Sequence, residues 1–234
     1  IPRDLWATIP FDDRTIFTDR INAANVYGDM YKYPGGGPAL LERTIEYNIP
    51  GISKIHYYVF VDFKGFEKII DTLGGVTVEL DRPLVDYEYP TDDYEITSVY
   101  IPAGVQHLDG KRALWYARSR HQESDYGRMR HQQKLIMALQ EQALNLNLLP
   151  RLPELFNQFS NSVNTNISLQ DALALARIAK DIDSEHFTGR TLEVGQVIPT
   201  QTDLGASILL PNKKEIAKVV QEVFFDARLQ EQAA

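Results

Sequence analysis

The chain has 234 residues, 44% of them hydrophobic, and no cysteine. It is long enough to bury a core, and it excludes disulfides, thiolate metal sites and cysteine nucleophiles. A net charge of -8 and a pI near 5.2 argue against broad nucleic-acid binding, which shows as a basic surface over a whole domain. No run approaches the roughly 18 apolar residues of a membrane-spanning helix, and no signal peptide is present. The opening residues, IPRDLWATIP, read as a strand leaving a core. A preceding segment, and any anchor with it, is therefore expected to have been removed.

Taken in order, residues 1–9 predict a strand with a turn at Pro10, and FDDRTIFTDR after it is polar and turn-like. Residues 21–27 (INAANVY) open a helix, and GDMYKYPGGGP is a loop rich in Gly and Tyr. No Lys-Ser/Thr follows these glycines as a phosphate-binding loop requires, so the run reads as a linker. Pro38 suits a helix start, with an apolar stripe at Leu40, Leu41 and Ile45 that ends at Asn48-Ile49-Pro50-Gly51. KIHYYVFVD at 54–62 is rich in aromatic and β-branched residues and predicts a buried strand, with His56 as a packed member of it. Residues 65–73 predict a helix stopped by Gly74-Gly75, and VTVEL at 76–80 predicts another strand. This alternation argues for the α/β class. Residues 81–100 hold Asp86, Glu88, Asp92, Asp93 and Glu95; their spacing fits no calcium loop, and a solvated acidic loop is expected.

After a turn at Ala103-Gly104, Asp109 is placed to cap a helix running to about Arg118. Ser124 or Asp125 is placed to cap the next, from near Gly127 to about Asn145, with Leu135, Ile136 and Leu139 on its apolar face. Ser168 with Asp171 opens a further helix, 189–197 and 207–210 read as strands, and Asn212 with Glu215 opens the last helix. Composition shows no break, and one domain over 1–234 is expected.

One stretch departs from the acidic background. Residues 111–134, KRALWYARSRHQESDYGRMRHQQK, carry seven Lys and Arg against Glu123 and Asp125, a local +5 that leaves -13 for the rest of the chain. Four of these cations form two Arg-x-Arg pairs, Arg118/Arg120 and Arg128/Arg130. Arginine offers a planar fork of donors that grips phosphate or carboxylate oxygens two at a time. If one helix ends near Arg120 and another begins near Gly127, Arg120 and Arg128 can converge on one oxyanion between a helix C-terminus and a helix N-terminus. The competing reading is a salt-bridge network with Glu42, Glu46 or the acidic stretch as partners. Asp125 likewise has two readings, a helix cap that orients an arginine or a base. The five histidines are scattered and form no Ser/His/Asp set.

The motifs IPRD (1–4), INAANVYG (21–28), GGPALLERTIE (36–46), YYVFVDFKGFEKIIDTLGGVTVEL (57–80) and IPAGVQHLDGKRALWYARSRHQESDYGRMRHQQ (101–133) together resemble the LytR-CpsA-Psr family of bacterial cell-envelope proteins. Beyond Gln133 the resemblance is to general architecture. It implies a three-layer α-β-α arrangement, a central mixed β-sheet flanked by helices, with a long apolar pocket for a lipid tail. It further implies an extracytoplasmic, membrane-anchored phosphotransferase that moves a glycopolymer, such as teichoic acid or capsule, from a polyprenyl-pyrophosphate carrier to peptidoglycan. Carried over by motif, the catalytic arginines are Arg3, Arg118, Arg120 and Arg128, with Arg130, Gln132 and Asp125 as substrate-binding residues. The resemblance also implies Mg2+, held by aspartates expected upstream of residue 1; Asp4, Asp12, Asp13 and Asp19 match no such motif. Fixed arginines and a metal suit a leaving group that gathers negative charge. The leucine-rich helices after Leu135 would line the lipid slot, or else form ordinary core. Two alternatives stand beside this reading. One is a non-catalytic module binding polyprenyl phosphate or wall polyanions, and the other is the family's older label of transcriptional attenuator, which the acidic chain disfavours.

Overall fold

The structure, a computed structural model, describes residues 1–91, 93, 95–119, 125–145, 149–160, 162–181 and 190–226. In chain order its elements are β1 (Trp6–Pro10), β2 (Ile16–Arg20), α1 (Ala23–Met30), α2 (Gly36–Asn48), β3 (Val59–Val61), α3 (Phe63–Thr72), β4 (Val76–Leu80), β5 (Leu84–Pro90), β6 (Ile96–Ile101) and β7 (Gly104–Leu108). Next come α4 (Gly110–Arg118), α5 (Asp125–Asn145), α6 (Leu152–Phe159), β8 (Val163–Thr165), α7 (Leu169–Asp181), β9 (Val197–Gln201), β10 (Ser207–Pro211) and α8 (Lys213–Gln221). Helices and strands are interspersed through the chain, which is of the α/β class. Contacts divide it into two compact units, Ile1–Tyr58 with Thr188–Ala234, and Val59–Phe187.

In the first unit β1 and β2 form an antiparallel hairpin in which Trp6 faces Arg20 and Pro10 faces Ile16. The sequence suggests only a polar turn across 11–20. The turn is there, closed by the Asp12 carboxylate, which accepts from the backbone N–H of Arg14 at 2.7 Å and of Thr15 at 2.6 Å. Those two bonds hold Asp12 below the usual carboxylate range. Beyond the turn the chain returns as β2, a full strand. β10 joins β1 through a parallel bridge between Leu5 and Leu209, and β9 pairs antiparallel with β10, so the strands here are mixed in direction.

Helix α2 lies against β1, and its last residue completes the strand. Asn48 donates from Nδ2 to the Thr8 carbonyl at 2.7 Å, and its Oδ1 accepts from the Thr8 N–H at 3.0 Å. A side-chain amide thus takes the place of a neighbouring backbone. The glycine run, which caps and opens α2, is no linker. A Cβ on Gly37 would collide with the Asn25 carbonyl oxygen, and one on Gly28 would stand 2.6 Å from that of Gly36. Glycine at both positions lets α1 and α2 approach backbone to backbone.

On α2, the Glu42 Oε1 is buried with no hydrogen-bond partner among the described residues. Burial first, and the charge of Glu46 second, push its carboxyl above the usual range. The folded state therefore holds this proton more tightly than the unfolded chain. The resulting stabilisation is complete below the ordinary glutamate range and is lost as pH rises through the raised value. Glu42→Gln is expected to raise the melting temperature at neutral pH by a few degrees at most. The gap to wild type should close as the pH falls below the usual glutamate range, and thermal melts across that range check it.

In the second unit β4 pairs antiparallel with β7, β5 with β6, and β3 with β8. Ile70, Val76, Ile101, Leu108, Tyr116 and Leu135 are at most 2% exposed and form its core, under α3, α4 and α5. Asp62 caps α3 by accepting from Gly65 N at 2.6 Å, and Asp109 caps α4 by accepting from Arg112 N at 2.8 Å. Ser168 and Asp171 form the reciprocal capping box at the start of α7.

Three further expectations are corrected. The buried strand over 54–62 reduces to Val59–Val61, and Val59 and Phe60 are more than half exposed. Aromatic and β-branched residues fit a pleated surface without requiring that the surface be covered. The acidic stretch 81–100 is largely the β5–β6 hairpin, not a loop. Its inward positions include Asp86, 2% exposed, so a polar residue masks the apolar alternation. The strand expected over 189–197 begins only at Val197.

Candidate anion-binding site

Asp109 starts α4, and the helix delivers Arg118 to its last turn, where the helix dipole favours a cation. The Arg118 Cζ stands 4.0 Å from the centroid of the Phe63 ring and 5.1 Å from that of Tyr89. Two aromatic faces thus orient the planar guanidinium. The next residue, Ser119, turns out of the helix and donates from Oγ to Asp86 Oδ2 at 2.6 Å, both residues being buried. The other Asp86 oxygen accepts from Glu88 N at 3.0 Å, at the irregularity between Asp86 and Tyr89 in the β5–β6 pairing. A buried carboxylate therefore clamps the point at which the chain leaves α4.

Helix α5 begins at Asp125 and carries Arg128 in its first turn, only 8% exposed. One turn further on, Gln132 donates from Nε2 to the Ala117 carbonyl at 3.1 Å. That bond ties the start of α5 to the last turn of α4, so Arg118 and Arg128 sit on adjoining helix ends. Arg130 is exposed and stands apart from them. Two residues along a helix are about 200° of rotation, which puts Arg130 on the opposite side from Arg128. It lines a cleft of about 380 Å³ with Arg82, His131 and Lys134. Arg120 and Ser124 lie outside the described residues, as does the Asp125 side chain, so the convergence of Arg120 with Arg128 falls there too.

Arg3 belongs to the first unit. Its Nε lies 3.3 Å from Asp4 Oδ2, while Asp4 Oδ1 lies 3.4 Å from Arg20 Nε. Arg20 also donates from Nη2 to the Ser207 carbonyl at 2.8 Å, tying this group to β10. Asp4 thus orients two arginines, of which Arg20 has no motif to mark it in the sequence. The signals for the missed residues were faint. Asp86 stood among other acids, and Phe63 and Tyr89 come to Arg118 from far along the chain.

Among the described residues no group of three or more histidine, aspartate or glutamate side chains stands together to hold a metal ion. No helix among them is long and apolar enough to cross a membrane.

Fixed arginines at adjoining helix ends, braced by aromatic rings and a buried carboxylate, define an α/β protein equipped to hold an oxyanion. The chain belongs to the LytR_cpsA_psr family, whose model matches residues 1–224 and so runs well past Gln133. It is 32% identical over 204 residues to a Bacillus subtilis (strain 168) protein named polyisoprenyl-teichoic acid–peptidoglycan teichoic acid transferase TagV, covering 83% of this chain and 48% of that protein. It is 35% identical over 170 residues to regulatory protein MsrR of Staphylococcus aureus (strain COL), covering 71% of this chain and 45% of that one. The crystal structure of B. subtilis TagV matches with a TM-score of 0.72 at 26% identity, over 95% of this chain and 81% of that one. The chain thus spans about half the length of the relatives it matches in sequence.

Proposed function

We propose that this chain is the catalytic part of an extracytoplasmic, membrane-anchored transferase that moves a glycopolymer from a polyprenyl-pyrophosphate carrier to peptidoglycan. The observation that carries the reading is Arg118, held between Phe63 and Tyr89 at the end of α4 and joined through the Gln132–Ala117 bond to the helix that bears Arg128. The name of the transferase TagV supports the polymer and its acceptor.

In the proposed reaction an acceptor hydroxyl attacks the phosphorus that bears the polymer. The bond from that phosphorus to the bridging oxygen breaks, and polyprenyl phosphate leaves with the electron pair. The hydroxyl proton passes to a base, a role for which Asp125 is one candidate. Charge builds on the phosphoryl oxygens and on the bridging oxygen, and that is where bidentate arginine donors stabilise the transition state more than the ground state. Arg118, Arg128 and Arg120 are proposed as those donors. Gln132, already bonded to α4, acts through the position of Arg128. Magnesium would neutralise pyrophosphate oxygens when bound.

Replacing Arg118 with alanine is expected to weaken binding of a short-chain polyprenyl pyrophosphate about tenfold, the worth of a charge-assisted hydrogen bond. Titration calorimetry checks this, and unchanged affinity would remove Arg118 from the site. The name of MsrR favours a second reading, a regulator. The net charge of -8 weighs against one that reads DNA, and DNA binding that weakens steeply with salt would revive it.

A further inference from the structure

We propose that Asp71 and Gln142 are positioning residues for the transfer site. They lock α3, α4 and α5 together at the end remote from the arginines, and through that lock they fix where Arg118 and Arg128 stand. The proposal rests on the reading of those two arginines as oxyanion donors and adds the residues that place them.

Phe63 opens α3 and meets Arg118 at the end of α4. Asp71, in the last turn of α3, meets the start of α4, where its Oδ1 accepts from the Gly110 N–H at 2.7 Å. The two helices therefore run in opposite directions. On each of them the two contacts lie about 12 Å apart, so the pair is held in register at both ends. A Cβ on Gly110 would collide with the Glu67 carbonyl oxygen, and glycine there lets α4 close on α3.

Gln142 fastens α5 to the same end. Leu135, Ala138 and Leu139 pack on the core from α5, and Gln142 continues their stripe at the next turn, where helical periodicity calls for an apolar residue. Its Nε2 donates to the Leu73 and Gly75 carbonyls, each at 2.8 Å. Those carbonyls stand in the turn that ends α3, where Gly74 and Gly75 take φ of 83° and 93°. Carbonyls at a helix end need donors from outside the helix, and a primary amide supplies two hydrogens from one nitrogen.

Gln142 and Arg128 lie at opposite ends of α5, about 21 Å apart. At its near end α5 is tied to α4 through the bond from Gln132 to Ala117, and at its far end to α3 through Gln142. With the far tie gone, α5 pivots on the near one, and Arg128, one turn before the pivot, swings with it. A displacement of about 1 Å at a reacting centre costs about a hundredfold, so a smaller swing is enough to misalign a two-pronged donor. Asp71 does the same for α4 and Arg118. Both residues act through helices and touch no reacting atom.

The test is titration of the full chain with a short-chain polyprenyl pyrophosphate, well below the melting temperature, with melting curves confirming that each variant is folded. Gln142→Ala and Asp71→Ala should each weaken binding about tenfold. Gln142→Lys, which keeps a donor, and Asp71→Asn, which keeps the acceptor, should restore most of it. The discriminating readout is coupling between sites. Gln142→Ala should cost little more once Arg128 is alanine, and Asp71→Ala little more once Arg118 is alanine, whereas a merely structural role would add its full cost to either. Full additivity, or unchanged affinity in the folded single variants, overturns the assignment. Hydrogen exchange separates the lock from the transferase reading. In Gln142→Ala the amides of Ala117–Ser119, at the far end of α4, should exchange faster. A protein that binds no pyrophosphate yet exchanges faster there loses the transferase reading and keeps the lock, and unchanged exchange overturns the lock.

Discussion

Arg128→Ala is expected to lower polymer transfer from a polyprenyl-pyrophosphate donor by about a hundred- to a thousandfold, the usual cost of removing one preorganised donor from an oxyanion site. The guanidinium is buried in the first turn of α5. It is fixed by its helix, and water screens it little. Charge that develops beside it in the transition state is therefore stabilised without reorganisation. Arg128→Lys keeps the charge and loses the two-pronged fork, so it should restore only part of the rate. If Arg128 acts on developing charge, kcat falls more than KM rises. Transfer within about tenfold of wild type, from a folded variant, would take Arg128 out of the site.

Asp86→Ala should cost about 2–3 kcal/mol of stability and, with it, the geometry of the arginine loop. The carboxylate is 2% exposed and accepts from Ser119 Oγ and from Glu88 N. Its removal strands a buried hydroxyl and a strand N–H at once. Asp86 touches no reacting atom; it positions the exit from α4, one residue beyond Arg118. The distinguishing readout is donor affinity measured well below the melting temperature, where a purely structural loss would not appear. Asp86→Asn keeps an acceptor and should recover most of the stability. An unchanged melting temperature in Asp86→Ala would contradict the clamp.

Local chemistry is what the sequence made legible. Asp109, Ser168 with Asp171, and Asn212 each start a helix by accepting a backbone N–H within a few residues, and such caps need no knowledge of the rest of the fold. The basic stretch at 111–134 was likewise visible as a charge anomaly, and its motifs carried the family. Non-local features stayed hidden. The β5–β6 hairpin escaped because Asp86 turns inward, Asn48 gave no sign that its amide would finish β1 forty residues away, and only folding brings Phe63 and Tyr89 to Arg118. The separation of Arg128 from Arg130 could have been read, since helical rotation alone sends two residues to different faces. The arginine pairs drew the eye as pairs, and the structure divides this one between a buried site and an open cleft.

The central claim is the transfer itself. Full-length protein, given a polyprenyl-pyrophosphate-linked polymer and peptidoglycan, should release polyprenyl phosphate in equal amount to the polymer that becomes covalently attached, and Arg128→Ala should suppress both together. Intact donor with wild type, or release of polyprenyl phosphate with no polymer attached, would contradict it.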